Sequence, residues 1–64
     1  MTIHPGQVFI TKRNVIYIVD DVSGKCLDVY KTRYDRRNHS YYRIASRKSI
    51  DMDFLDRNLK RFLS

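Results

Sequence analysis

Few side chains in this 64-residue chain are of types that do chemistry. Cys26 is the one cysteine, and His4 and His39 are the only imidazoles. A thiolate beside an imidazole is a nucleophile with its base. However, Cys26 opens the apolar run CLDVY, and nothing in the sequence brings His39 to it. A buried or half-buried structural thiol is the expectation. Structural zinc takes four Cys or His ligands, and three scattered candidates fall short, so neither a metal nor a cofactor is expected. Asp20 and Asp21 are neighbours, and successive strand residues point to opposite faces, so their carboxylates do not converge. They mark the approach to a turn. Asp51, Asp53 and Asp56 read as helix-start residues. With two glycines in the whole chain, no Gly-rich phosphate loop exists. The chain is not expected to be an enzyme.

Binding is the better lead. Lys31, Arg33, Arg36, Arg37, Arg43, Arg47 and Lys48 follow one another with Asp35 as the only acid among them, and Tyr30, Tyr34, Tyr41 and Tyr42 are interleaved. Cations at this density neutralise phosphates, and tyrosine faces offer platforms for exposed bases. The candidate nucleic-acid-binding set is therefore Lys31, Arg33, Tyr34, Arg36, Arg37, Tyr41, Arg43, Arg47 and Lys48. The same residues have plainer uses, since Tyr is a good strand former and Lys and Arg guard sheet edges. Across the chain thirteen Lys and Arg face seven acids, all Asp, for a net charge of +6. That balance fits a polyanion, or alternatively the acidic face of a protein with exposed aromatics as anchors. No apolar run approaches the roughly 20 residues that cross a bilayer. The opening MTIHPGQVFI has none of the parts of a signal peptide. A cytoplasmic location and no membrane partner are expected. A homodimer is compatible with either partner, because an unpaired strand edge can align with its symmetry mate.

The elements that must carry these residues centre on Val15 to Tyr34, two β-branched and aromatic runs, VIYIVDDV and CLDVYKTRY, joined by Ser23-Gly24-Lys25. Before them, His4-Pro5-Gly6-Gln7 suits a type II turn, and Val8-Phe9-Ile10-Thr11 a short strand. After them, Tyr41 to Ala45 alternates as a fourth strand. Ser46-Arg47-Lys48-Ser49 breaks the pattern. Met52, Leu55, Leu59 and Phe62 then fall on one face of a helix, with Asp51 as N-cap and Ile50 as a staple on Leu55. The reading is one α+β domain over residues 1–64: a small, curled four-stranded antiparallel sheet, either an SH3-like barrel or an open meander, with one C-terminal amphipathic helix. Strands are expected at 7–12, 15–22, 26–34 and 40–46 and the helix at 51–62. Both faces of the central strand are apolar, so the helix is expected to cover the second one. The expected core is Val8, Ile10, Ile16, Ile18, Leu27, Val29, Ile44, Leu55, Leu59 and Phe62. At this length folding buries only about 60% of the unfolded chain's surface, and without a disulfide that core must hold the fold.

The opening PGQVFI, the hairpins and the aromatic fourth strand look like a small SH3-like barrel. With the closing segment FLDRNLKRF (Phe54 to Phe62), the chain resembles short uncharacterised proteins of phages and prophages, which share the Pro-Gly turn and a tail of the FLxxxLKRF kind. The resemblance implies a phage or prophage origin and a binding role. It implies no catalytic residues.

Overall fold

A computed structural model describes residues 2–64. Six strands and one short helix run in the order β1 (Val8–Thr11), β2 (Ile16–Ser23), β3 (Cys26–Asp35), β4 (Ser40–Arg43), β5 (Lys48–Asp51), α1 (Met52–Asn58) and β6 (Leu59–Phe62). All pairings are antiparallel, and the spatial order is β4-β3-β2-β1-β6, with β5 also on β3. The sheet is thus six-stranded rather than four-stranded, and it does not close into a barrel. Among the described residues no helix is long and apolar enough to cross a membrane.

The entry turn forms as its residues dictate. Gly6 takes φ 92 after Pro5, and the turn is tied to β2 by Gly6 N–H donating to the Val19 carbonyl at 2.8 Å. In the next turn Asn14 adopts φ 64, a left-handed conformation that Asn tolerates. There the Thr11 hydroxyl accepts from Val15 N–H at 3.2 Å. Gly24, at φ 57, turns β2 into β3.

Register decides which face is the core. Val19 lies opposite Val29, Tyr17 opposite Lys31, and Phe9 opposite Tyr17. Directly opposed residues share a face, so Phe9, Tyr17, Val19, Leu27 and Val29 line up inward. With Ile50 and Leu55 they form the buried cluster. Phe9 is fully buried and stacks against Tyr17 at 5.6 Å and against the edge of Phe62 at 6.0 Å. Here the expected core is corrected on β1 and β2. Ile10, Ile16 and Ile18 are only partly buried, while Phe9, Tyr17 and Val19 take the interior. Leu27, Val29 and Leu55 are buried as expected, and so is Val8, although outside the main cluster. Val22 also departs from the strand alternation that would set it on the face of Ile16 and Ile18. Pairing shifts between Val19 and Asp21, and this bulge at Asp20 inserts one residue, which turns Val22 toward the core cluster.

The C-terminal third departs furthest from expectation. β4 ends at Arg43, which leaves Ile44 exposed at 38% rather than in the core. Residues 44–47 carry the chain along the edge of β3, and the polar segment Lys48–Asp51 pairs there as β5, placing Ile50 opposite Leu27. The helix follows at once. Asp51 caps it, its carboxylate accepting from Phe54 N–H at 2.6 Å, and Leu55 is its one buried side chain. Helix 51–62 is shortened to Met52–Asn58, because Leu59 turns extended and residues 59–62 pair with β1. Leu59 faces Thr11 and Phe62 faces Phe9, with a bulge that leaves Lys60 unopposed. One extra residue lets two side chains three apart in sequence meet the same face of a strand. Leu59 and Phe62 are therefore half-buried on β6 rather than on a helix. The lid over the core is α1 together with β6, and it covers the Phe9–Val29 face. The Ile16–Ile18 face carries no helix.

Candidate nucleic-acid interface

Beyond Thr32, β3 has lost β2 and is paired with β4 alone, through Arg33–Tyr42, Tyr34–Tyr41 and Asp35–Ser40. This two-stranded ribbon stretches a molecule that measures 35 × 20 × 20 Å. Its tip is organised by Asp35, whose carboxylate accepts from Arg37 N–H at 2.9 Å and from Asn38 Nδ2 at 2.7 Å. His39 closes the turn at φ 50. A carboxylate so occupied folds the loop back on itself, and Arg36 and Arg37 stand exposed at its apex.

Strand alternation then divides the sequence-derived set between two faces. Lys31, Arg33 and, on β5, Lys48 lie on the side of Val29 and Tyr17, along with Tyr42 opposite Arg33. Tyr34, Tyr41 and Arg43 lie on the other side with Tyr30. Tyr34 and Tyr41 pack edge to face at 5.0 Å, and the Tyr34 hydroxyl lies 3.4 Å from His39 Nδ1. The nine residues therefore do not form one surface.

Electrostatics separates the two faces further. The Arg43 guanidinium sits over the Tyr30 ring at 3.9 Å and reaches Asp20 at 3.9 Å. Arg47 holds Asp28 at 2.6 Å and Asp20 at 3.4 Å. Its hydrogen bond to Asp28, reinforced by the charges of Asp28 and Asp20, raises its pKa above the ordinary arginine value. Two arginines against two carboxylates leave that patch neutral. Arg43 and Arg47 act as a latch that holds the 44–47 crossover to β2 and β3. Among the described residues these are the only salt bridges, so Lys31, Arg33, Arg36, Arg37 and Lys48 keep their charge unpaired.

Two residues that the sequence reading passed over join the unpaired side. Arg13, in the β1–β2 turn, and Phe54, on α1, line a cleft of ≈ 300 Å³ with Thr11, Val15, Tyr17, Lys48 and Asn58. Lys48 Nζ is 5.6 Å from the Phe54 ring centroid. A second cleft of ≈ 250 Å³ shares Val15 and has Lys31 and Arg33 among its lining residues. The sequence signal for Arg13 was its alternation with Thr11, Val15 and Tyr17, which is visible only once the inward face is known. Tyr42, 48% exposed, is the most open tyrosine of the ribbon and Tyr34 follows at 43%.

The candidate thiol–imidazole pair is far apart. Cys26 is exposed rather than buried, because it opens β3 beside the Gly24 turn. His39 lies past the end of β3 at Asp35, so about 30 Å of extended strand separates the two at ~3.3 Å per residue. Among the described residues no group of three or more His, Cys or Asp side chains is placed to hold a metal ion. Compared with protein-family models, curated proteins and solved structures, the chain matches none.

Proposed function

We propose that this domain is a small basic binding module that contacts nucleic acid through the face bearing Lys31, Arg33 and Lys48 and the ribbon tip bearing Arg36 and Arg37. The observation that carries the reading is the segregation of charge. Within the cationic stretch from Lys31 to Lys48, the arginines with carboxylate partners, Arg43 and Arg47, sit on one side, whereas Lys31, Arg33 and Lys48 sit on the other and Arg36 and Arg37 at the apex. An unpaired exposed cation is free to neutralise a phosphate, and the counterions this releases from the nucleic acid drive association. The binding is non-catalytic. The phage or prophage origin implied by the chain's motifs belongs to the same proposal, and the return of the last strand beside the first supports an SH3-like sheet left open.

The test is an anisotropy titration with labelled duplex and single-stranded oligonucleotides at low and high salt. Dissociation constants of about 10⁻⁶ to 10⁻⁴ M that weaken steeply with salt are expected. Absence of binding to every oligonucleotide at low salt removes the reading. The second reading is docking on an acidic protein face, and it draws on the exposed Tyr34 and Tyr42, aromatic anchors of the kind that dominate protein interfaces. Pull-down from host lysate tests it, with loss of capture expected in a Tyr34→Ser/Tyr42→Ser variant.

A further inference from the structure

From the cleft between the β1–β2 turn and α1 we infer a pocket for one unstacked nucleobase of a single strand, with the phosphates on either side of that base held by Arg13 and Lys48. This inference rests on the nucleic-acid reading above. Its substance is the chemistry of the lining. Phe54 supplies half-buried aromatic surface over the buried Tyr17, Val15 an apolar wall, and Arg13 and Lys48, both exposed, the cations. At ≈ 300 Å³ the cleft falls at the small end of ligand sites, room for a single planar group.

Its walls are held in place before any ligand arrives. On one side the turn is closed by Thr11 N–H donating to the Val15 carbonyl and Asn14 N–H to the Thr11 carbonyl, both at 2.9 Å. On the other side α1 is anchored by buried Leu55 and capped by Asp51, whose acceptance from Phe54 N–H fixes the residue that presents the ring. The two sides are tied together by Lys12 N–H donating to the Asn58 carbonyl at 2.8 Å. Asn58 Nδ2 donates to the Phe54 carbonyl at 2.8 Å, which holds this lining side chain against the helix.

That combination selects among polyanions. In a duplex the π-face of each base is covered by its neighbours, so a recessed aromatic surface has nothing to stack on. A single strand can splay one base into the cleft, and every base has a π-face. The face is continuous with the ribbon, since Val15 lines both clefts and Lys31 lies opposite Tyr17. A strand seated by one base in the pocket therefore runs on toward Lys31 and Arg33.

The test needs no variant at first. Binding of the full chain to a short oligothymidylate, to an abasic strand of equal phosphate number and to a duplex of equal length is compared by anisotropy at low salt. The base-bearing strand is expected to bind tightest, and removal of its bases to weaken binding about five- to 150-fold. Phe54→Leu, which keeps an apolar group against the core, is expected to remove most of that difference while its melting curve stays cooperative. Arg13→Gln is expected to shrink the salt slope by about 0.7. Equal affinity for base-bearing and abasic strands overturns the pocket while leaving the nucleic-acid reading intact. Absence of binding to all three probes overturns both.

Discussion

Charge removal at the ribbon tip and at the Arg47 latch should have opposite signatures, although the substitutions look alike. Six cations stand on the proposed binding side: Arg13, Lys31, Arg33, Arg36, Arg37 and Lys48. Each phosphate neutralised on a single strand contributes about 0.7 to the slope of log affinity against log salt, so six set a ceiling near about −4. Between about 50 and 200 mM salt that slope costs about 300-fold in affinity. The double variant Arg36→Gln/Arg37→Gln removes two contacts, which brings the slope to about −3 and the loss to about 50-fold. Arg47→Gln removes the same kind of charge, but its guanidinium is already held by Asp28 at 2.6 Å and Asp20 at 3.4 Å. Its slope should match the parent, and its effect should appear as a lower melting temperature from the loosened crossover. Anisotropy titrations at four or more salt concentrations, with circular-dichroism melts in parallel, read both quantities. An Arg47→Gln variant that lowers the slope as much as the tip pair, or a tip pair that leaves the slope unchanged, would refute the division of the cations.

Stability tests address the lid and the turns. Leu55→Ala truncates the one buried side chain of α1 and should cost about 2–5 kcal/mol in urea unfolding. A chain of this length is expected to be stable by about 3–10 kcal/mol, so the variant should lose a large share of that stability and unfold at a clearly lower urea midpoint. Gly24→Ala places a Cβ in open space at φ 57. Its cost should be the backbone term alone, about 1–2 kcal/mol, and a neutral result would mean that the turn adopts another conformation. Asp51→Ala removes the helix cap and should lose about 0.5–2 kcal/mol, read from the same melts.

The hairpin β2–β3 was legible because β-branched residues and a Gly turn agree over its whole length. The buried side of β1 and β2 was not, because Ile16 and Ile18 are as apolar as Tyr17 and Val19. Only the pairing of Val19 with Val29 settles which set goes inward. The bulge at Asp20 also breaks alternation before Val22 can report on it. Leu59 and Phe62 mimicked a helix because a three-residue spacing suits a helical turn and a bulged strand equally. β5 escaped notice because an edge strand needs only one inward residue, and Ile50 supplies it amid Lys48, Ser49 and Asp51. For the site, the cationic stretch was visible from residue types alone. Its partition into latched and open arginines was not, since Asp20 and Asp28 are remote in sequence from Arg47. The cleft at Phe54 depends on β6 bringing α1 back beside the first turn, a long-range event with no local signal.

A single long strand, β3, gives its first half to β5 and its second half to β4. The first half is backed by the hydrophobic interior at Leu27 and Val29, whereas the second has only Thr32 buried among its residues. Amide protons of Arg33 and Tyr42, a hydrogen-bonded pair of the ribbon, should therefore exchange by a shallow opening that leaves those of Leu27 and Val29 protected until the whole molecule unfolds. The consequence is mechanical independence: the arm that would first meet a partner can unzip and re-form on its own, without exposing the body that anchors it.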